Sequence, residues 1–166
     1  METTIFVLDA NVFIEAKNHY YRFDLAPGFW ESLIFHANNG RIESIDRVRG
    51  ELERGNDELA EWIKGQFHRA FVSTDEEDVD ESYRKIMEWV NTQRQFTDAA
   101  KADFARSPDG WLVAYAGAKG RTVVTHEVLK PDVKIKVPIP NVCRAFNVPF
   151  VDTFEMLQIL GVRLKT

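Results

Sequence analysis

Five short apolar runs alternate along the chain with longer segments of helical periodicity. The runs are IFVLD, RIESI, AFVST, RTVVT and PFVDT, which begin at Ile5, Arg41, Ala70, Arg121 and Pro149. A continuous apolar run without polar alternation is typical of a strand that is covered on both faces. Strands that alternate with helices predict an α/β protein.

Two of the predicted helices carry recognisable start and stop residues. One begins at Pro27 and ends before Gly40, and another begins after Pro108 and ends before Gly120. Proline favours the first turn of a helix, and glycine favours the position just past its end. A third helical segment, in the stretch 75–106, begins with the acidic run DEED, whose charges suit a helix N-terminus.

Length and composition predict one cytoplasmic domain without a membrane segment. The chain has 166 residues, 45% hydrophobic and 28% charged, and no apolar run is long enough to cross a bilayer. No secretion signal is recognisable, and the single cysteine, Cys143, indicates a reducing compartment. The net charge of −5 neither requires nor excludes nucleic acid as a ligand.

Asp9 and Glu127 follow the first and fourth apolar runs. In a doubly wound parallel sheet, ligands bind beyond the strand ends at the point where the strand order reverses. If the first and fourth strands flank that point, the two carboxylates lie close together. They then repel each other unless a proton or a hard cation such as Mg²⁺ or Mn²⁺ neutralises them. Asp9 also has an ordinary structural interpretation as a helix cap, because a helical segment follows it directly.

Helical phase assigns directions to two further acids. The segment 44–63 is interpreted as helical, with an apolar stripe formed by Ile45, Val48, Leu52, Leu59 and Ile63. At about 100° per residue, Glu51 lies at the edge of this stripe and can face the crevice, whereas Glu53 points towards solvent. Asp109 opens a predicted helix, where a carboxylate is also favourable for purely electrostatic reasons. Asp103 is the nearest competing acid.

Four of these motifs together resemble the PIN-domain nucleases. LDANVF contains Asp9, VRGEL contains Glu51, DGWLVAYA contains Asp109, and VVTHE contains Thr125 and Glu127. The family has an acidic strand end, an EL helix, a D-x-x-(I/L)-x-A helix and a final T-x-(D/E). VVTHE and PIPNVCRAF further resemble a bacterial branch of PIN-like proteins related to toxin-type ribonucleases. Each motif is weak alone, but the four occur in the family's order across nearly the whole chain.

The resemblance implies a Rossmann-like, three-layer α/β/α domain over residues 1–166, with a parallel five-stranded sheet and a helical, insertion-like segment at about 75–106. It implies a Mg²⁺- or Mn²⁺-dependent endoribonuclease, acting in a bacterial toxin-antitoxin system. The expected partners are an RNA substrate, a cognate antitoxin and a second copy of the chain in a homodimer. The chain departs from the family in having Glu127 where Asp is usual, and in a long stretch from 77 to 103.

The resemblance also implies roles for the four acids. Asp9, Asp109 and Glu127 hold the metal ion that activates a water molecule. Glu51 is a further ligand or orients the ligands from outside the metal shell. His126 is left out of the site, because alternation at a strand end turns its side chain away from its neighbours.

Two hydrogen-bond donors and a set of basic residues around the acids complete the predicted site. Asn11 and Thr125 are candidate donors that orient the carboxylates or the phosphate, although capping and strand-end hydrogen bonds explain them equally well. The candidate RNA-binding cations are Arg47, Arg49, Arg54, Lys101 and Arg106. An ordinary solvated helix surface explains each of these cations as well. The four tryptophans are interpreted as core residues, and only an exposed aromatic beside the acids counts as a base-stacking platform.

Two other function classes stay open at this point. A phosphatase-type phosphoryl hydrolase also places an Asp after its first strand, but LDAN lacks the second Asp that many such enzymes carry two residues later. A non-catalytic PIN-like interaction domain is the other alternative, and the presence of all four acids argues against it.

Overall fold

Five parallel strands form the central sheet, in the order β3-β2-β1-β4-β5. In the computed structural model, which describes residues 3–164, the strands are β1 (Phe6–Leu8), β2 (Ile42–Ile45), β3 (Phe71–Val72), β4 (Thr122–Val124) and β5 (Phe150–Val151). Each strand lies within one of the five apolar runs of the sequence. The predicted α/β class, with a five-stranded parallel sheet flanked by helices, is confirmed.

The connections between the strands are helical. The helices are α1 (Ala10–Glu15), α2 (Pro27–Asn38), α3 (Asp46–Glu53), α4 (Glu58–Trp62), α5 (Glu77–Thr92), α6 (Asp98–Arg106), α7 (Asp109–Lys119), α8 (Ile139–Ala145) and α9 (Thr153–Leu160). α1 continues as a π-helical segment over Ala16–Tyr20, and α4 continues in the same way over Ile63–Phe67. No helix among the described residues is both long and apolar enough to cross a membrane.

β1 lies at the centre of the sheet, between β2 and β4. Its three residues, Phe6–Leu8, have no solvent exposure, which explains why this run carries no polar alternation. The chain adds β2 and β3 on one side of β1 and then β4 and β5 on the other, so the strand order reverses between β1 and β4. The crevice beyond the carboxyl ends of these two strands is therefore where a ligand is expected to bind.

Two helices end where the sequence predicts. α2 ends at Asn38 and is followed by Gly40 at φ +73°, and α7 ends at Lys119 and is followed by Gly120 at φ +70°. Glycine adopts this left-handed conformation without the strain that a Cβ atom would introduce. The start of α7 is fixed by the preceding proline, and this places Asp109 at the first residue of the helix.

The interpretation of the segment 44–63 as one helix is wrong. Ile45 ends β2, α3 stops at Glu53, and the chain turns through Asn56 at φ +49° before α4 begins. Asp57 starts α4, since its side chain accepts a hydrogen bond from the backbone N–H of Ala60 at 3.0 Å. The five apolar residues of the predicted stripe are nevertheless all buried. The stripe is therefore buried by the end of β2 and two short helices rather than by one long helix.

The stretch 75–106 contains α5 and α6. The predicted apolar face of α5 is buried at Val79, Ile86 and Val90, and the helix packs along α7. Its acidic first turn contacts Lys119, whose Nζ lies 2.9 Å from Asp78 Oδ2 and also near Glu76. This acidic run stabilises the start of α5 and its contact with the end of α7.

Candidate functional site

Asp9 lies at the carboxyl end of β1, almost fully buried in the crevice. It is 2% exposed and occupies the N-cap position of α1, but its side chain makes no capping hydrogen bond. The hydroxyl of Thr125, which follows β4, donates instead to Asp9 Oδ2 at 3.1 Å. The capping interpretation of Asp9 therefore does not account for its carboxylate, which is held by the neighbouring strand end.

Glu127 reaches the same crevice two residues after Thr125. The backbone N–H of Glu127 donates to the Thr125 hydroxyl at 3.1 Å, so one hydroxyl contacts both acids. Glu127 Oε1 accepts the backbone N–H of Ile139 at 3.0 Å, and Oε2 lies 3.4 Å from Lys136 Nζ. The Glu127 side chain is only 13% exposed. The start of α8 and one lysine thus hold this carboxylate in place.

Asp109 comes to the site from the start of α7. The pKa of its carboxyl is raised to about 7, mainly by burial and then by the negative charges of Glu127 and Glu51, while Lys136 acts to lower it. A carboxylate that served only as a favourable helix-start charge would lie in solvent and keep a low pKa. The environment of Asp109 is instead that of an acid held close to other acids.

The pKa of Asp9 is raised for the same reasons. Burial is the main cause, followed by the charges of Asp109 and Glu127, whereas Thr125 and the backbone of Asn11 lower the pKa. The acid cluster, defined as Asp9, Glu51, Asp109 and Glu127, is therefore an electrostatically coupled group drawn from separate parts of the chain. At neutral pH such a group binds a proton or a cation.

The donor chemistry of the acid cluster fits a hard divalent cation, because carboxylate oxygens are the ligands that Mg²⁺ and Mn²⁺ prefer. Within residues 3–164, no three or more His, Cys, Asp or Glu side chains already form a group that could hold a metal ion. Lys136 and the N–H of Ile139 engage the two oxygens of Glu127 in this arrangement. A cation at this position would replace the lysine as the partner of Glu127.

Glu51 and Glu53 differ in their surroundings, and one detail departs from the prediction. Glu51 is the more exposed of the two, and its charge acts on Asp109. Glu53 is partly buried and lies 4.0 Å from Arg49, one helical turn earlier. The expectation that Glu53 is the more solvated residue is wrong. The role of Glu51 at the crevice stays a prediction.

A small cavity opens beside the acids. It has a volume of about 210 Å³ and is lined by Asn11, Glu15, Tyr20, His126 and Glu127. Asn11 is exposed there. Glu15 is not among the predicted site residues, although it lies four residues after Asn11 and helical phase places both on one face. Nothing local indicates Tyr20 or Lys136, because each reaches the site through the tertiary fold.

Two further acids, Asp103 and Asp152, lie outside the acid cluster and have local contacts of their own. Asp103 is exposed and forms an ion pair with Arg106 at 2.7 Å. Asp152 caps α9, since its carboxylate accepts the backbone N–H of Glu155 at 2.8 Å. The His126 ring contacts Thr153, with Nε2 2.8 Å from the hydroxyl, and makes no hydrogen bond to the acids.

The predicted RNA-binding cations all have local contacts. Arg47 stacks over the Trp111 ring at 3.8 Å and donates to Thr74. The remaining contacts are Arg49 with Glu53, Arg54 with the carbonyl of Gly50, Lys101 with the carbonyl of Asn91, and Arg106 with Asp103. Of the tryptophans, Trp30 and Trp62 are core residues as predicted, while Trp89 and Trp111 are partly buried. RNA binding by these cations stays a prediction.

Two solved structures have a fold similar to that of this chain. One is VapBC2 from Rickettsia felis bound to a DNA fragment from its promoter, with 17% sequence identity and a TM-score of 0.56. The similarity covers 90% of this chain and 98% of that chain. The other is FitAcB from Neisseria gonorrhoeae, with 19% sequence identity and a TM-score of 0.54. The similarity covers 88% of this chain and 96% of that chain. At these identities the similarity shows the fold alone.

Two sequence comparisons add to this. A stretch of 78 residues is 33% identical to DNA-directed RNA polymerase subunit beta' of Dehalococcoides mccartyi, covering 46% of this chain. The chain spans only 6% of the length of that relative, so no activity follows from the match. A family model described as a domain of unknown function, DUF4411, matches residues 6–164. The match extends over nearly the whole chain, which therefore belongs to the DUF4411 family and has a PIN-like fold.

Proposed function

We propose that the protein is a metal-dependent endoribonuclease that hydrolyses RNA phosphodiester bonds at the acid cluster. The observation that carries this proposal is the meeting of acids from separate parts of the chain, since Asp9 after β1 is 2% exposed, Glu127 after β4 is 13% exposed, and Asp109 begins α7 beside them. Burying such charges together is costly unless they bind a cation. Selection for stability alone does not favour this arrangement, whereas metal-assisted phosphodiester hydrolysis requires it.

Asp9, Asp109 and Glu127 would hold Mg²⁺ or Mn²⁺, with Glu51 at the open side of the site. When bound, the metal supplies an activated water molecule and neutralises charge on the phosphate. Thr125 fixes the geometry, because its hydroxyl donates to Asp9 and accepts from the backbone of Glu127.

The resemblance to toxin-type PIN domains, together with the fold shared with VapBC2 and FitAcB, supports a role as the toxin of a toxin-antitoxin pair. The partner in this proposal is a cognate antitoxin protein. A homodimer is proposed on the same basis, and the molar mass of the purified protein in solution tests it.

The proposed activity is tested by comparing two glutamates of α3. We expect Glu51→Gln to reduce cleavage of a labelled single-stranded RNA in Mn²⁺ by about 10- to 100-fold, the usual effect of removing a group that supports metal ligands. Glu53→Gln is the matched control, since it removes the same charge from the same helix beside Arg49. Its effect should stay below about twofold.

The assay includes wild-type protein with chelator in place of Mn²⁺. Equal activity of Glu51→Gln and wild type would remove Glu51 from the site. Cleavage that continues in chelator would contradict the metal-dependent mechanism itself.

The Lys136–Glu127 ion pair leads to a second prediction. The Lys136 side chain is 55% exposed, so the pair contributes at most about 1 kcal/mol. We expect Lys136→Gln to tighten Mn²⁺ binding two- to fivefold, because the cation no longer displaces an ammonium from Glu127. In chelator the variant should melt at a lower temperature, since the acid cluster loses its nearest positive charge.

Calorimetric titration with Mn²⁺ at pH 8 measures the affinity, and Lys134→Gln supplies the control in the same loop. If both variants bind Mn²⁺ with wild-type affinity, Lys136 does not compete with the metal.

A further inference from the structure

Three aromatic side chains form an exposed cluster beside the acids. Tyr20, at the end of the π-helical segment after α1, is 54% exposed, and Phe154 on α9 is 43% exposed. Their ring centroids lie 5.5 Å apart in an edge-to-face arrangement. His126 completes the cluster, 5.8 Å from Tyr20 and 6.0 Å from Phe154.

The underlying structure holds this cluster in place. The hydroxyl of Thr153, which is 1% exposed, lies 2.8 Å from His126 Nε2. Phe154 also packs against Tyr21, which stacks on the buried ring of Phe29 at 4.3 Å. The aromatic faces are therefore anchored to the core, which lowers the entropy cost of binding a ligand on them.

Two of the three aromatic side chains line a cavity that includes Glu127 of the acid cluster, while Phe154 packs against Tyr20 outside the cavity lining. Tyr20 and His126 line the 210 Å³ cavity together with Glu127 and Asn11. This volume is below the roughly 300 Å³ at which pockets for small molecules begin, and it suits a single flat ring. Glu15 also lines the cavity, and its negative charge disfavours a phosphate group there. The cavity is thus suited to an uncharged, planar group, while its attached phosphate would lie on the Glu127 side, where a cation held by the acid cluster would neutralise it.

We propose that Tyr20, His126 and Phe154 form a stacking platform for one nucleobase of a single-stranded RNA substrate, which places the adjoining phosphate at the acid cluster. This inference rests on the proposed function. Stacking on an aromatic ring is tolerant of sequence, since every base has a π face. The platform positions single-stranded RNA without selecting a particular base.

The test measures binding separately from cleavage. Fluorescence anisotropy in chelator follows a labelled ten-nucleotide oligouridine and a ribose-phosphate chain of equal length without bases. We expect Tyr20→Ala to weaken oligouridine binding about tenfold, within the range reported for loss of one stacked base. Tyr20→Phe should bind within twofold of wild type, because it keeps the ring. Phe154→Ala should weaken binding in the same direction as Tyr20→Ala.

Phe35→Ala is the control, since Phe35 is a 61% exposed aromatic on α2 whose ring packs against His36 and belongs neither to the cavity nor to the aromatic cluster. The base-free chain should bind wild type and Tyr20→Ala equally. Two results would overturn the inference. One is unchanged oligouridine binding by Tyr20→Ala, which is expected if the cluster binds a protein instead. The other is an equal loss of affinity for oligouridine and for the base-free chain. A wild type that binds oligouridine without cleaving it in Mn²⁺ refutes the proposed function alone.

Discussion

Asp9→Asn is expected to abolish stabilisation by divalent metal and to reduce RNA cleavage by more than about 100-fold, because even residues outside the metal shell contribute 10- to 100-fold. In the wild type, Mn²⁺ at about 100 times its dissociation constant stabilises the folded state by about 2.7 kcal/mol. For a chain of this length the melting temperature then rises by roughly 5–10 °C. The variant should melt at the same temperature with Mn²⁺ and with chelator.

The substitution should leave the fold intact. Asn at position 9 retains an oxygen that accepts the Thr125 hydroxyl, and it removes a buried charge whose pKa the fold raises. In chelator at neutral pH, the variant should therefore be at least as stable as the wild type. Asp103→Asn is the control, because that exposed acid pairs with Arg106 away from the site. A wild-type melting curve indifferent to millimolar Mn²⁺ and Mg²⁺ would falsify the metal site.

Asp109→Asn is expected to abolish cleavage while stabilising the metal-free protein above neutral pH. The fold raises the pKa of Asp109 from an ordinary value of 3.8 to about 7. Between these values the folded state binds more protons than the unfolded state, so stability falls as pH rises from about 4 to 7. The full penalty is present above pH 7. The Asn variant lacks this penalty, which amounts to a few kcal/mol.

Melting temperatures in chelator from pH 4 to pH 8 test this prediction, together with cleavage in Mn²⁺ at pH 8. The difference between variant and wild type should be near zero at pH 4 and should grow towards pH 8. The loss of a favourable charge at the start of α7 acts in the opposite direction, but it is worth only about 0.3–1 kcal/mol. A variant that is destabilised throughout and fully active would return Asp109 to a helix-start role.

The strands and helix ends around the acid cluster were predictable from short stretches of sequence, because apolar runs specify buried strands and glycine specifies where a helix stops. The apolar run before Asp9 specified a buried strand, and Gly120 specified the end of α7 through a conformation that other residues rarely adopt. The order of motifs also placed Asp9 and Glu127 at one sheet edge, since the carboxyl ends of parallel strands share an edge. The break between α3 and α4 was missed, because the apolar period continues across it.

By itself, the sequence determined the elements, their direction and the acids that end them, all of which depend on residues within a few positions of each other. Only the tertiary structure decided that Lys136 reaches Glu127, that Asp109 is partly buried near other acids, and that Tyr20 packs against Phe154. These contacts join residues far apart in the chain. Their geometry follows from the packing of helices on the twisted sheet, which no local pattern encodes.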